Sequence, residues 1–241
     1  MKFIRAIYSG YAVIIFSLLF ILLFPFFLIP IIDKRRYNWT GVLNRIWAWL
    51  FFIFLFIRIK VEYEEELEPG RQYVFCPNHF SYLDIPTMGL INRNTIFVGK
   101  SSIEKVPLFG WMYKRLHITV DRESLRSKYS TFLLSMDALK EGKNLVIFPE
   151  GGIITKNPPQ MTRFKEGAFK VALNTGTPIV PVSIVNNWKI LPENLLLRNK
   201  MMKMIVHKPI ETRNLSEEDF VNVKNDTFDA IQTKLNIGNG D

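Results

Sequence analysis

Cysteine is nearly absent from this 241-residue chain; Cys76 is the only one, so no intrachain disulfide can form. It lies inside an apolar run, where packing is the expected role and reactivity is not. Histidine is scarce as well, with His79, His117 and His207 only, and no zinc-ligand cluster can be assembled from the sequence. A phosphate-cradling Walker A loop is missing: Gly99-Lys100-Ser101 ends like one, but the first glycine it needs falls on Asn94. No G-x-S-x-G nucleophile elbow occurs. Acidic residues are outnumbered, 22 against 31 Lys and Arg, giving a formal charge of +9 and a pI near 9.6. That balance favours anionic partners, either nucleic acid or an acidic membrane surface. Much of the aromatic content sits in uncharged N-terminal runs and does not alternate with Lys and Arg, which favours the membrane.

Charge is missing altogether from Ala6 to Ile32, a run of 27 residues. At ~1.5 Å per residue a straight helix of that length is ~40 Å long, enough to cross a ~30 Å hydrocarbon core. Pro25 and Pro30 predict a bend or a stop before its end. Lys2 and Arg5 precede the run and Lys34-Arg35-Arg36 follow it, so the basic flanks favour neither orientation. A second apolar run, Ile46 to Ile57, is too short to span but rich in Trp and Phe, as an interfacial helix is. Together the two read as a helical hairpin embedded in one leaflet, with a single span as the alternative. A cleaved signal peptide ranks below both, because the run is too long and no small-x-small site follows it.

The rest alternates β and α. Expected strands are Ile57–Tyr63, Tyr73–Cys76, Thr95–Val98, Leu116–Val120, Asn144–Phe148, Ile179–Ile184 and Met204–His207. A helical period runs over Leu125–Glu141, closed by Gly142, and another over Phe164–Thr175, closed by Gly176 and Pro178. Ser216-Glu217-Glu218-Asp219 opens a C-terminal helix, and the tail from Gly238 to Asp241 is expected to fray. Alternation of this kind implies an α/β fold: a mainly parallel, roughly seven-stranded sheet covered by helices. The length suits one domain plus the N-terminal appendage.

Three strands end in chemistry. Asn78-His79-Phe80-Ser81-Tyr82-Leu83-Asp84 places a histidine five residues before an aspartate where a strand gives way to a helix. A carboxylate beside a histidine fixes its tautomer and stabilises its cation. Ser81-x-x-Asp84 is equally a helix capping box, with His79 an ordinary loop residue. The other two strands run into Asp121-Arg122 and Pro149-Glu150-Gly151-Gly152. Ligands of open α/β sheets bind beyond the carboxyl ends of strands, so the three endings would meet in one cleft. His117, in an apolar strand, reads as a hydrogen-bonded core residue, and His207, at a strand end, as surface structure.

In order along the chain, these segments resemble the lysophosphatidic acid acyltransferase family of glycerolipid acyltransferases. Asn78-His79 to Asp84 fits the first motif, and Lys100 with Pro107-Leu108-Phe109-Gly110 fits the block that follows. Val120-Asp121-Arg122 fits the second motif, Phe148-Pro149-Glu150-Gly151 the third and Ile179-Val180-Pro181-Val182 the fourth. One departure stands out: the third motif of the family continues Thr-Arg-Ser, whereas this chain has Gly152-Ile153-Ile154. Lys156, Arg163 or Lys165 could return the lost charge from the same loop.

The resemblance implies an N-terminal membrane segment, residues 1–58, and an acyltransferase domain, residues 59–241. It implies acyl transfer from a thioester, acyl-CoA or acyl carrier protein, to the free hydroxyl of 1-acyl-sn-glycerol-3-phosphate, yielding phosphatidic acid. His79 and Asp84 would be the catalytic pair; Arg122, Glu150, Gly151 and Lys100 would bind substrate, with Asn78, Gly152 and Pro181 supporting the motifs. An oxyanion would be met by backbone N–H groups of the Gly151-Gly152 turn or of the Asn78–Phe80 loop. No bound cofactor, metal or nucleic acid is expected; the partners are membrane lipids, the lysophospholipid and the acyl donor. The implied location is monotopic, on the cytoplasmic face of a bacterial inner membrane. A lyso-amino-lipid acceptor and a non-catalytic membrane-surface protein stand as alternatives.

Overall fold

Seven apolar runs form the seven strands of one sheet in a computed structural model that describes residues 2–216 and 218–238. The chain opens with two helices, α1 (Lys2–Ile32) and α2 (Trp39–Phe54), followed by β1 (Ile59–Tyr63), β2 (Val74–Pro77) and α3 (Asp84–Met88). Then come β3 (Thr95–Lys100), α4 (Phe109–Leu116), β4 (Ile118–Val120), α5 (Leu125–Lys140) and β5 (Asn144–Val146). The C-terminal third holds α6 (Gly167–Thr175), β6 (Ile179–Val185), α7 (Asn187–Ile190), β7 (Met202–Val206) and α8 (Phe220–Ile237).

The sheet order is β1-β7-β6-β2-β5-β3-β4, and every neighbouring pair is parallel except β6 with β7. Central parallel strands must be apolar on both faces because both are covered. Phe75, Val146, Val180, Val182 and Ile184 face α1 and α2 in one core cluster. Val74, Cys76, Leu145, Ile179 and Val185 face α5, α6 and α8 in the other. Cys76 is fully buried there, and burial pushes its thiol pKa up, away from reactivity.

Helices α1 and α2 form an antiparallel pair. The last carbonyls of a helix lack partners within it. Here Tyr8 Oη donates to the Leu55 carbonyl and Tyr11 Oη to that of Phe54 at 3.0 Å. Phe16 packs edge-on against Trp47, with ring centroids 4.8 Å apart, and Trp47 stacks on Phe51. Helix α1 continues through Pro25 and Pro30, stopping at neither. It is long and apolar enough to cross a membrane, and its outer side exposes Ile14, Leu18 and Leu22. That composition fits membrane association. The pair is also part of the core: Leu19, Phe51 and Phe52 share a cluster with Phe75, and Ser9 Oγ accepts the Leu197 N–H at 2.8 Å.

Several boundaries differ from expectation. The strand expected from Leu116 begins at Ile118, because Leu116 ends α4, a helix without a strong apolar period in the sequence. Helix α6 starts at Gly167, three residues after the expected Phe164, and α8 starts at Phe220. Glu217 and the expected frayed tail beyond Gly238 lie outside the described residues. His207 is not a surface residue: it is only 4% exposed. Its Nε2 lies 2.7 Å from Ser183 Oγ and its Nδ1 3.2 Å from Glu64 Oε2, while Lys234 Nζ reaches Glu64 Oε1 at 3.0 Å. This Ser-His-Glu chain has the connectivity of a hydrolase triad, yet Ser183 is fully buried, so it ties β1, β6, β7 and α8 together.

Candidate active site

Strand β2 ends at Pro77, and the loop that follows is fastened to its neighbours before it reaches the helix. Buried Asn78 imitates a ladder rung: its Oδ1 accepts the Ile184 N–H at 2.7 Å and its Nδ2 donates to the Ile184 carbonyl at 3.2 Å. His79 follows, only 8% exposed, with its ring stacked on Phe148 at a centroid distance of 4.0 Å. Its Nδ1 lies 3.0 Å from Asp84 Oδ2. A carboxylate accepts, so Nδ1 is the donor of this pair, and in a neutral imidazole Nε2 then keeps its lone pair.

The same oxygen, Asp84 Oδ2, also accepts the N–H of Phe80 at 2.7 Å and of Ser81 at 2.9 Å. One oxygen thus binds both the histidine and the loop amides, whereas Ser81 is not the cap of α3, which begins at Asp84 after Leu83 with no side-chain cap. Asp84 is fully buried, and its second oxygen accepts from Asn187 Nδ2 at 2.6 Å. Sequence reasoning did not single out Asn187, which sits 103 residues downstream. Its signal was the Asn186-Asn187 pair after β6: Asn186 takes a left-handed conformation, φ 69°, that starts the short helix α7.

Glu150 is fully buried and aims inward. Its Oε1 accepts the His79 N–H at 2.8 Å, and its Oε2 accepts from Thr162 N at 3.0 Å and Thr162 Oγ1 at 3.1 Å. Burial raises its pKa, and those hydrogen bonds oppose the rise. The amides of Asn78, His79 and Phe80 are thus committed, to Val182, Glu150 and Asp84. None of the three is free to meet an oxyanion. Gly151 N–H is turned back to the Phe148 carbonyl, while Gly152 N–H makes no hydrogen bond among the described residues.

Both glycines are required by backbone and by space. Gly151 has φ 80°, and a Cβ there would stand 2.8 Å from Lys165 Cε. Gly152 has φ 154°, with Arg122 Nη1 3.2 Å from where its Cβ would be. Only glycine takes these angles cheaply and lets two cations press on one turn. Arg122 Nη1 also donates to the Gly151 carbonyl.

Most of the expected site residues therefore meet: His79, Asp84, Glu150, Gly151, Gly152, Arg122 and Asn78 form one connected group. Lys100 stands apart, exposed at the end of β3 and outside the cleft beside Arg122. Pro181 is buried in β6 beside Cys76 of β2, where its carbonyl accepts the His207 N–H at 3.0 Å. Lys156 is exposed and does not line the cleft, so of the three expected cations only Arg163 and Lys165 do. Among the described residues no cluster of His, Cys, Asp and Glu could hold a metal.

The chain is 30% identical over 176 residues to the 1-acyl-sn-glycerol-3-phosphate acyltransferase of Borreliella burgdorferi, covering 71% of this chain and 69% of that protein. A chloroplastic 1-acyl-sn-glycerol-3-phosphate acyltransferase of Brassica napus is 28% identical over 205 residues, covering 84% of this chain and 58% of the relative. This chain spans between 39% and 63% of the length of the chloroplast and algal relatives it matches. The crystal structure of the 1-acyl-sn-glycerophosphate (LPA) acyltransferase PlsC from Thermotoga maritima superposes with a TM-score of 0.77, covering 96% of each chain at 21% identity, and so shares the fold. The sequence model of the family described as Acyltransferase matches residues 58–185, which contain every residue of the connected group around His79 except Asn187. The chain belongs to that acyltransferase family.

Proposed function

We propose that this protein acylates the free hydroxyl of 1-acyl-sn-glycerol-3-phosphate, forming phosphatidic acid from an acyl thioester, acyl-CoA or acyl carrier protein. The observation that carries the reading is the His79 Nδ1 to Asp84 Oδ2 contact of 3.0 Å, with that oxygen also held by two backbone N–H groups. His79 Nε2 takes the proton of the acceptor hydroxyl as its oxygen attacks the thioester carbonyl. The tetrahedral intermediate expels the thiolate, which takes the proton back from the imidazolium, so the histidine is regenerated. Asp84 stabilises that cation, and the substrate supplies the hydroxyl that a serine supplies in hydrolases. The free amide of Gly152 is the donor best suited to the oxyanion.

In this reading Arg122 and Lys165 at the Gly151-Gly152 turn hold the acceptor phosphate, replacing the arginine absent after Gly152. Glu150 and Asn78 position the histidine loop without touching substrate. Residues 1–58 act as a membrane-docked pair and residues 59–241 as the catalytic domain, with the enzyme lying on one leaflet, the cytoplasmic one in a bacterial cell. The two tyrosine bonds that close α1 onto α2 support this arrangement, since they hold the two helices against each other as a hairpin.

The test is His79→Ala, assayed with lysophosphatidic acid and an acyl thioester. Loss of a general base costs ~10²–10⁴-fold in turnover while the fold stays intact. Unchanged turnover in the folded variant would sink the mechanism. Single cysteines at Lys2 and Arg36 in a Cys76→Ser background test the hairpin: labelling from opposite sides of a sealed vesicle would mean a single span.

A further inference from the structure

A cleft of about 640 Å³ opens beside Phe148 and Gly151, on the face of the sheet covered by α5, α6 and α8. Arg122, Lys128, Arg163, Lys165 and Lys224 all line it. Among the described residues none of these five has a carboxylate within 4.0 Å, unlike Lys60, Arg71, Lys114, Lys143 and Lys234. The one acid in the lining, Glu166, is engaged by Lys170 at 2.7 Å. Five cations face the single carboxylate of Glu166, which also feels Lys224 and Arg163, so the concavity is strongly positive and favours a polyanion.

Two of the five, Arg122 and Lys165, press on the Gly151-Gly152 turn and suffice for one phosphate monoester, whose charge is about −2. Lys128, Arg163 and Lys224 remain, carried on α5, on the strand of chain before α6, and on α8. They stand on the opposite side of the sheet from the apolar pair α1 and α2. Arg122 and Lys165 line that same face, so an acceptor phosphate and a donor phosphate would lie side by side in one cleft. Phe132 adds apolar wall to the cleft.

We propose that Lys128, Arg163 and Lys224 form a second anion site that binds the phosphates of the soluble acyl donor, a coenzyme A thioester. Its 3′-phosphate and diphosphate together carry a charge of about −4, which the acceptor lipid does not. The inference rests on the acyl-transfer reading above and adds the place and the class of the donor. It also separates the two phosphate-bearing substrates, placing the lipid phosphate on Arg122 and Lys165 and the donor phosphates farther along the cleft.

The experiment uses the full chain in detergent with the double variant Lys128→Ala/Lys224→Ala. Its KM for acyl-CoA should rise about three- to tenfold, since partly exposed ion pairs are each worth under about 1 kcal/mol, while its KM for lysophosphatidic acid holds. Adenosine 3′,5′-bisphosphate should inhibit the parent competitively against acyl-CoA, and calorimetric titration should show it binding the parent and weakened in the variant. A rise in the lysophosphatidic acid KM instead would assign the cleft to the acceptor and overturn the proposal. So would unchanged KM values for both substrates, or no binding of the bisphosphate. Binding of the bisphosphate by a chain that transfers no acyl group would uphold the site and defeat the acyl-transfer reading, so the two failures are told apart.

Discussion

Glu150 grips the histidine loop by its backbone: its Oε1 accepts the main-chain N–H of His79 at 2.8 Å, across 71 residues of sequence. The carboxylate of the third motif thus fixes where the imidazole of the first motif can stand, with Thr162 holding its other oxygen. A buried group with all its bonds made inside the protein acts on the reaction through position.

Glu150→Ala should therefore lower kcat by roughly 10²-fold, because the His79 amide loses its partner and a buried polar group is left unpaired at ~1–3 kcal/mol. Glu150→Gln keeps an oxygen for that amide and should stay within about tenfold of the parent. Steady-state kinetics on both variants decides it. Equal damage in both, confined to the acceptor KM, would mean that the charge itself contacts the lipid.

Asn187→Ala should cut kcat about tenfold and lower the melting temperature, since Asp84 Oδ1 then lies buried without its 2.6 Å donor. Unaltered turnover would mean that the loop amides alone hold Asp84.

Acid should weaken the fold through its histidines. His117 Nδ1 accepts the Phe97 N–H at 3.3 Å, so the ring is neutral, and burial pulls its pKa from 6.5 down to about 3. Burial also lowers the pKa of His207, against the pull of Glu64. A depressed folded-state pKa means that the unfolded chain takes up the proton first. Stability from His117 is complete above pH 6.5 and is lost as pH falls from there toward 3, by up to ~1.4 kcal/mol per pH unit, and His207 acts in the same direction. Denaturant midpoints at pH 7.5, 6 and 5 should fall less steeply in His117→Asn, which keeps an acceptor near Nδ1. Comparison with the parent cancels Glu150, whose raised pKa acts with the opposite sign. Identical slopes would remove His117 from the account.

Leu18→Asp/Leu22→Asp should release the protein from lipid vesicles without lowering its melting temperature. Both side chains are more than half exposed on α1 and belong to no buried cluster. Carboxylates in an apolar layer cost ~2–4 kcal/mol each, enough to reverse partitioning. Vesicle co-sedimentation reads the outcome, and full retention would place the docking surface elsewhere.

The sheet was legible because apolar runs broken by Pro and Gly mark buried parallel strands whatever their neighbours. His79, Asp84, Glu150 and Arg122 were legible because short motifs at strand ends carry chemistry in their residue types. What escaped has a common cause. Asn187 and Thr162 act through hydrogen bonds to the carboxylates of Asp84 and Glu150, and no local period or spacing encodes such a partner. His207 was misread because a histidine before Lys208-Pro209 looks like an edge, while β1 and α8 close over it only in three dimensions. Helix α4 was missed because its eight residues are too few to show a period against the strand expected after it.

Ser9 and Leu197 are joined by a hydrogen bond across 188 residues, which fixes an order of events during synthesis. Helix α1, the most apolar segment of the chain, leaves the ribosome well before Leu197, which supplies part of its docking surface. At ~5–20 residues per second that interval lasts tens of seconds, far longer than a helix needs to form. For that time α1 has only its neighbour α2 to pack against, and its contacts with the sheet are still to come. A lipid surface is the shelter its composition suits, so the chain would reach the bilayer before its sheet exists, and the catalytic domain would assemble on an anchor already in place.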